Sequence, residues 1–145
     1  MQVHEIMTAE PECFRESDLV MEIARRMREL NIGFVPICDE HGRPVGAVTD
    51  RDIAIRVAAE DKKASRVHAR EIMSHESVTC SDSDEVERAE EVMAEHHKSR
   101  LMVVDEAGRL VGVLSLADLF TSAADERALE TLQRIAEREA RAAVH

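Results

Sequence analysis

Sliding the chain against itself by 66 residues aligns positions 5–55 with 71–121 without a gap, and 16 of those 51 pairs are identical. The agreements include Glu5-Ile6-Met7 with Glu71-Ile72-Met73, Ser17-Asp18 with Ser83-Asp84, and Met27 with Met93. They also include Asp39-Glu40, Gly42-Arg43 and Val45-Gly46, which return as Asp105-Glu106, Gly108-Arg109 and Val111-Gly112. An internal repeat constrains architecture more than any single motif, because one structural unit must be built twice. A unit of roughly 50 residues buries too little surface to be secure alone. Two copies packed sheet to sheet are therefore expected to share a core.

Each unit has the same expected order, β-α-β-β-α. A short extended segment (12–16 and 78–81) precedes Ser17-Asp18 and Ser83-Asp84, which are N-cap candidates for a helix. In the first helix Val20, Ile23, Ala24, Met27 and Leu30 recur at spacings of three and four, giving one apolar face. Val86, Ala89 and Met93 mark the matching face in the second copy. Two apolar runs joined by a glycine-containing turn then predict a hairpin, and a further helix closes each unit. Residues 60–70 are polar and connect the copies. Beyond 121 a helical tail carries Leu129, Leu132, Ile135 and Ala136 along one side, suited either to its own domain or to a partner.

Each copy also holds a glycine, two apolar residues, a hydroxyl residue, two variable positions and an aspartate: GAVTDRD from Gly46 and GVLSLAD from Gly112. Thr49 with Asp52, and Ser115 with Asp118, follow a strand and open a helix. That is the arrangement of a capping box, which is worth about 1 kcal/mol and needs no ligand. It also suits a ligand. N–H groups at a helix start favour an anion, and a carboxylate one turn in can accept from two vicinal ribose hydroxyls, as an acidic residue does in dinucleotide-binding folds. One helix start can serve both purposes.

Composition narrows the partners. The 145 residues carry a net charge of −11, which opposes binding to nucleic-acid phosphates or anionic lipid through a broad basic face. Aromatic content of 2% leaves no stacking platform for single strands. No apolar run approaches the roughly 20 residues that span a bilayer, and the first residues lack the pattern of a signal peptide. A cytoplasmic location is expected, with no nucleic-acid or membrane partner. Cys38 fits a buried thiol. Cys13 and Cys80 fall near equivalent places in the two halves, but a reducing compartment disfavours a lasting disulfide. The seven histidines follow no metal-ligand spacing, and no hydrolase, P-loop or paired catalytic carboxylate pattern appears. Neither a metal nor an enzyme activity is expected.

The doubled unit, with VPICDEHGRPVGAVTDRDI and LMVVDEAGRLVGVLSLADL and an opening near IMT or IMS, resembles a tandem pair of cystathionine-β-synthase (CBS) domains. In that respect it resembles a Bateman module of the stand-alone bacterial type. The resemblance implies an α+β (mixed α/β) fold of two repeats packed through their sheets with pseudo-twofold symmetry, plus a C-terminal helix. The implied boundaries are 3–59 for the first domain, 60–68 for a linker, 69–122 for the second domain and 123–145 for the tail.

The resemblance further implies a non-catalytic regulatory module that binds an adenosine-containing ligand in a cleft between the domains and signals by conformational change. The ligand class is AMP, ADP or ATP, or NAD or S-adenosylmethionine. No cofactor is required, although Mg²⁺ can accompany a triphosphate. A homodimer and an unidentified protein target are the implied partners. The alternative is a structural or dimerisation adaptor without a nucleotide. In CBS domains that hold nucleotides the hydroxyl-x-x-aspartate motif contacts the ligand, which assigns Thr49, Asp52, Ser115 and Asp118. Arg51 and Arg100 are candidates to meet phosphate, a task suited to a planar guanidinium. Gly33, Phe34 and Pro36 would line the adenine side of one cleft. The equivalent stretch with Ser99 and Arg100 lacks both the glycine and the proline, so the two clefts are expected to be unequal.

Overall fold

The offset of 66 relates the elements as well as the letters. A computed structural model of the chain describes residues 1–75, 78–122 and 130–136. Helix α1 (Val20–Leu30) is matched by α4 (Val86–His96), strand β2 (Phe34–Cys38) by β5 (Arg100–Val104), and strand β3 (Pro44–Thr49) by β6 (Leu110–Ser115). Helix α2 (Asp50–Ile53) starts 66 residues before α5 (Leu116–Ser122). Special backbone positions repeat too. Asn31 and His97 end α1 and α4 in the left-handed conformation, at φ 54° and 53°, and Gly42 and Gly108 turn the hairpins at φ 77° and 80°. The fold is mixed α/β. No helix among the described residues is long and apolar enough to cross a membrane.

The sequence repeats and the two units of the fold are cut at different places. One unit comprises Pro11–Ser77 with Gly108–Leu110, and the other Met1–Glu10 with Val78–Ala107 and the chain from Val111. Each unit thus takes the opening segment of the other repeat. In the second unit β1 (Thr8–Ala9) lies antiparallel to β6, with Thr8 opposite Val113, at one edge of a four-stranded sheet that continues through β5. Strand β4 (Thr79–Ser81) is the parallel partner of β5, with Cys80 opposite Val103. In the first unit the same places are single bridges beside the β2–β3 hairpin: Ser74 antiparallel to Ala47, and Phe14 parallel to Ile37. Both sets differ by 66.

The borrowed segments also start the helices. Ser17-Asp18 and Ser83-Asp84 do not cap α1 and α4. The N-cap residues are Leu19 and Glu85, without side-chain caps. The first helical N–H groups, of Val20 and Val86, instead donate to the backbone carbonyls of Val67 (2.8 Å) and Met1 (2.9 Å). Asp18 and Asp84 accept from the backbone N–H groups of Arg15 (2.7 Å) and Ser81 (2.9 Å) and so fix the preceding turn. A backbone partner at the helix start leaves a side-chain cap unnecessary.

Each unit has its own core. Val20, Ile23, Met27, Val35, Ile37, Val48 and Val57 pack with Val67, Ala69, Ile72 and Met73 of the borrowed segment, so the polar-looking connector already contains core residues. The borrowed segment of the other unit supplies Val3, backed by Ile6 and Met7, to Val86, Ala89, Met93, Leu101, Val103, Leu114 and Leu119. Of the face expected on α1, Ala24 is half-buried and Leu30 is exposed. Helix α3 (Ala69–Ile72) belongs to the borrowed segment of the first unit. The second helix of that unit continues from α2 as a π-type turn, Ala54–Ala58.

The tail helix α6 (130–136) buries Thr131 and Ile135, and Ile135 joins the core of the second unit. Leu132 is half-buried and Ala136 is exposed, so the buried face is turned from the expected one. Leu129 lies outside the described residues.

Candidate functional site

The candidate residues fall into two sets, one in each unit. In the first unit the hairpin places Phe34 opposite Thr49, and the Asp50 N–H donates to the Gly33 carbonyl at 3.0 Å. A Cβ at Gly33 would lie 2.7 Å from a carboxylate oxygen of Asp50, so the glycine lets the approach to β2 and the start of α2 come close together. Thr49, extended at φ −110° and ψ 163°, is the N-cap of α2. Its Oγ1 accepts from the Asp52 N–H at 3.1 Å, and Asp52 Oδ2 accepts from the Thr49 N–H at 2.9 Å. The capping box is therefore present in full. It leaves the Thr49 hydroxyl proton outside the box, able to donate, and Asp52 Oδ1 outside it as well, facing Arg56.

Asp52 Oδ1 lies 3.8 Å from Arg56 Nη1, which donates to the Ile72 carbonyl at 2.6 Å. Arg56 is a member of this constellation that sequence reasoning missed. Its spacing of four from Asp52 on a helical segment is the signal that points to it. Arg51 is exposed on the first turn. Pro36 is separate from the helix start: it is buried two residues along β2 from Phe34, opposite Ala47, and its carbonyl accepts from the Phe14 N–H at 3.1 Å.

The second unit repeats the frame with different side chains. The Leu116 N–H donates to the Ser99 carbonyl at 3.0 Å. Asp118 Oδ2 accepts from the Ser115 N–H at 2.8 Å, and Ser115 Oγ accepts from the Asp118 N–H at 3.3 Å. Asp118 is half-buried, and Arg100, the first residue of β5, is exposed. Position 122, the counterpart of Arg56, is serine, and position 116, the counterpart of Asp50, is leucine. The caps are equivalent, while the charges around them are not. Asp50 and Asp52 stand with Arg51 and Arg56 in one set, and Asp118 with Arg100 in the other.

The motif glycines have a different task from the hydroxyls and carboxylates. A Cβ at Gly46 would collide with the Ser74 carbonyl oxygen and the Met73 side chain, and one at Gly112 with the Met7 side chain. Both glycines lie where the borrowed segment crosses the hairpin. A side chain there would part the two strands.

Comparison with known proteins gives a consistent result. A family model described as the CBS domain matches residues 3–59 and again 69–125. Protein MK0525 of Methanopyrus kandleri is 37% identical over 103 residues, which are 71% of this chain and 53% of MK0525. The chain thus spans about half the length of that relative. Among solved structures, the CBS domain protein PAE2072 from Pyrobaculum aerophilum, complexed with AMP, superposes with a TM-score of 0.75 at 28% identity. The match covers 92% of this chain and 98% of PAE2072. The CBS domain pair of protein MJ0100, in complex with 5′-methylthioadenosine and S-adenosyl-L-methionine, gives 0.73 at 30% identity, covering 83% of this chain and 94% of that one.

Proposed function

The chain belongs to the CBS domain family, and from that premise we propose that it is a non-catalytic regulatory module for an adenosine-containing nucleotide. The observation that carries the reading is the pair of equivalent capping boxes. Each uses one carboxylate oxygen and the hydroxyl's acceptor side, so that a hydroxyl proton and a second carboxylate oxygen, in Asp52 one shared with Arg56 at 3.8 Å, face outward at a helix start. A ribose with two vicinal hydroxyls needs an acceptor of that kind. Similar CBS structures were solved with AMP and with S-adenosyl-L-methionine, which share the adenosine moiety.

In this reading Asp52 and Asp118 accept from ribose, Thr49 and Ser115 donate to ribose or phosphate oxygen, and Arg51 and Arg100 neutralise phosphate. Gly33, Phe34 and Pro36 flank adenine in the first set, with Ser99 in the second. The domains are those of the repeat, 3–59 and 69–122, joined by 60–68 and followed by the tail 123–145. The assembly is a homodimer in the cytoplasm, and a bound triphosphate brings its own Mg²⁺. Ligand binding shifts conformation only to the extent that it favours one arrangement over another.

Calorimetry on nucleotide-stripped protein with AMP, ADP, ATP, NAD and S-adenosylmethionine tests the proposal. Saturable binding is expected for at least one. Asp52→Ala or Asp118→Ala is expected to weaken it about tenfold, equivalent to ~1.4 kcal/mol. A 2′-deoxy analogue should bind the wild type more weakly but lose nothing further in the affected variant. Absence of binding by all five ligands would overturn the reading and leave the adaptor.

A further inference from the structure

The first unit holds a thiol pair that its counterpart lacks. The Phe14 N–H donates to the Pro36 carbonyl (3.1 Å), and the Cys38 N–H donates to the Phe14 carbonyl (2.8 Å), so the segment around residue 14 runs parallel beside the end of β2. The Cys13 Sγ turns back along this junction, 4.0 Å from the same Phe14 carbonyl oxygen. Cys13 and Cys38 adjoin at this junction closely enough for each thiol to influence the other's titration. Cys13 is exposed, whereas Cys38 is 1% exposed. The counterparts at 79 and 104 are threonine and valine, and β4 still pairs with β5 there. The fold does not need sulfur at this junction.

Cys80 offers no such arrangement. Its counterpart in the repeat is Phe14, not Cys13, and it is buried in the core of the other unit. Burial, with Asp84 and Asp82 nearby, pushes its thiol up to about 12.

We propose that Cys13 and Cys38 form a redox modification site: a peroxide converts them to an intrachain disulfide, and a thiol reductant restores them. Cys13 is the attacking sulfur. Its thiolate displaces hydroxide from the peroxide O–O bond and becomes a sulfenic acid, and the hydroxide is protonated to water. The Cys38 sulfur then attacks the Cys13 sulfur. Its proton goes to the departing hydroxide, releasing a second water. Two thiols and one peroxide thus give one disulfide and two waters.

The surroundings favour this division of labour. The hydrogen bond from Cys38 brings the Cys13 thiol down to about 7, with Arg15 reinforcing the effect while burial and Asp18 oppose it. The same hydrogen bond, burial and the nearby Asp39 push Cys38 up, with Arg15 opposing, so it waits as the thiol. Cys13 meets the oxidant at the surface, where it is exposed, while a cavity of about 360 Å³ lined by Arg15, Glu16, Cys38, Asp39 and Arg70 opens beside Cys38.

The test uses the full chain treated with one equivalent of hydrogen peroxide, then intact mass and peptide mapping. The expected product has lost two hydrogens, carries a Cys13–Cys38 cross-linked peptide whose yield is independent of protein concentration, and reverts with dithiothreitol. Cys80→Ser should behave as the wild type. Cys38→Ala should instead leave a Cys13 sulfenic acid that dimedone traps. Before oxidation, Cys13 should alkylate about threefold faster at pH 7 than an ordinary thiol, the gain in thiolate being partly offset by weaker nucleophilicity. Cross-links between chains, Cys13 sulfinic acid in the wild type, or no cross-linked peptide would each overturn the proposal.

Discussion

At Gly46 a methyl group would meet the backbone carbonyl of Ser74, which is held by its own exchange of hydrogen bonds with Ala47 (2.9 and 3.1 Å) and cannot step aside. At Gly112 the nearest obstacle is the flexible Met7 side chain, with the Thr8 carbonyl at 3.1 Å. The two glycines occupy the same motif position, so substitution compares a rigid neighbour with a yielding one. Gly46→Ala is expected to cost roughly 3 kcal/mol and Gly112→Ala roughly 1 kcal/mol, read as the difference in urea midpoints. Equal losses would contradict the geometry. The sequence marks both glycines by their repetition but not the reason for them, because the atoms that exclude a side chain come from a segment tens of residues away. The hydroxyl and carboxylate of each motif were more legible, since a capping box is made within four consecutive residues.

Hairpins and helices follow the same distinction between local and borrowed contacts. The turn joining β2 to β3 is closed by Asp39: its N–H donates to the Arg43 carbonyl (2.9 Å), and its carboxylate accepts from the N–H groups of His41 (2.8 Å) and Arg43 (2.9 Å). These backbone donors, Arg43 first, hold the carboxyl below its ordinary value of 3.8. A depressed carboxyl contributes stability fully above the unfolded-state pKa and loses it as pH falls through the folded one. The advantage of the wild type over Asp39→Ala in thermal melts should therefore be constant near neutrality and fade below about pH 4. A difference that persists in acid would assign the turn to backbone contacts alone. This hairpin, and its counterpart at Asp105, could be read from Asp and Gly at fixed spacing. The starts of α1 and α4 could not. Ser17-Asp18 resembles a cap, yet the Val67 carbonyl has taken that place, and nothing in residues 17–20 records it.

For the whole molecule, the exchange of opening segments decides which fragments can stand alone. A fragment of residues 11–77 contains the first unit apart from Gly108–Leu110, while residues 1–66 retain a segment that belongs elsewhere and lack Val67, Ala69, Ile72 and Met73. Circular dichroism and amide NMR should show cooperative structure in the former and little in the latter. The reverse result would contradict the division into units. The repeat made two similar units evident from the sequence, but an offset of 66 is unchanged if both opening segments trade places, so periodicity carries no trace of the trade. During synthesis it imposes an order. Residues 1–10 leave the ribosome well before β6, and the unit they complete cannot close until that strand has emerged. The intervening chain, by contrast, has already met most of its partners by residue 77. This segment therefore waits for partners made about a hundred residues later, and until then Val3, Ile6 and Met7 are apolar surface that a nascent chain must keep from other contacts.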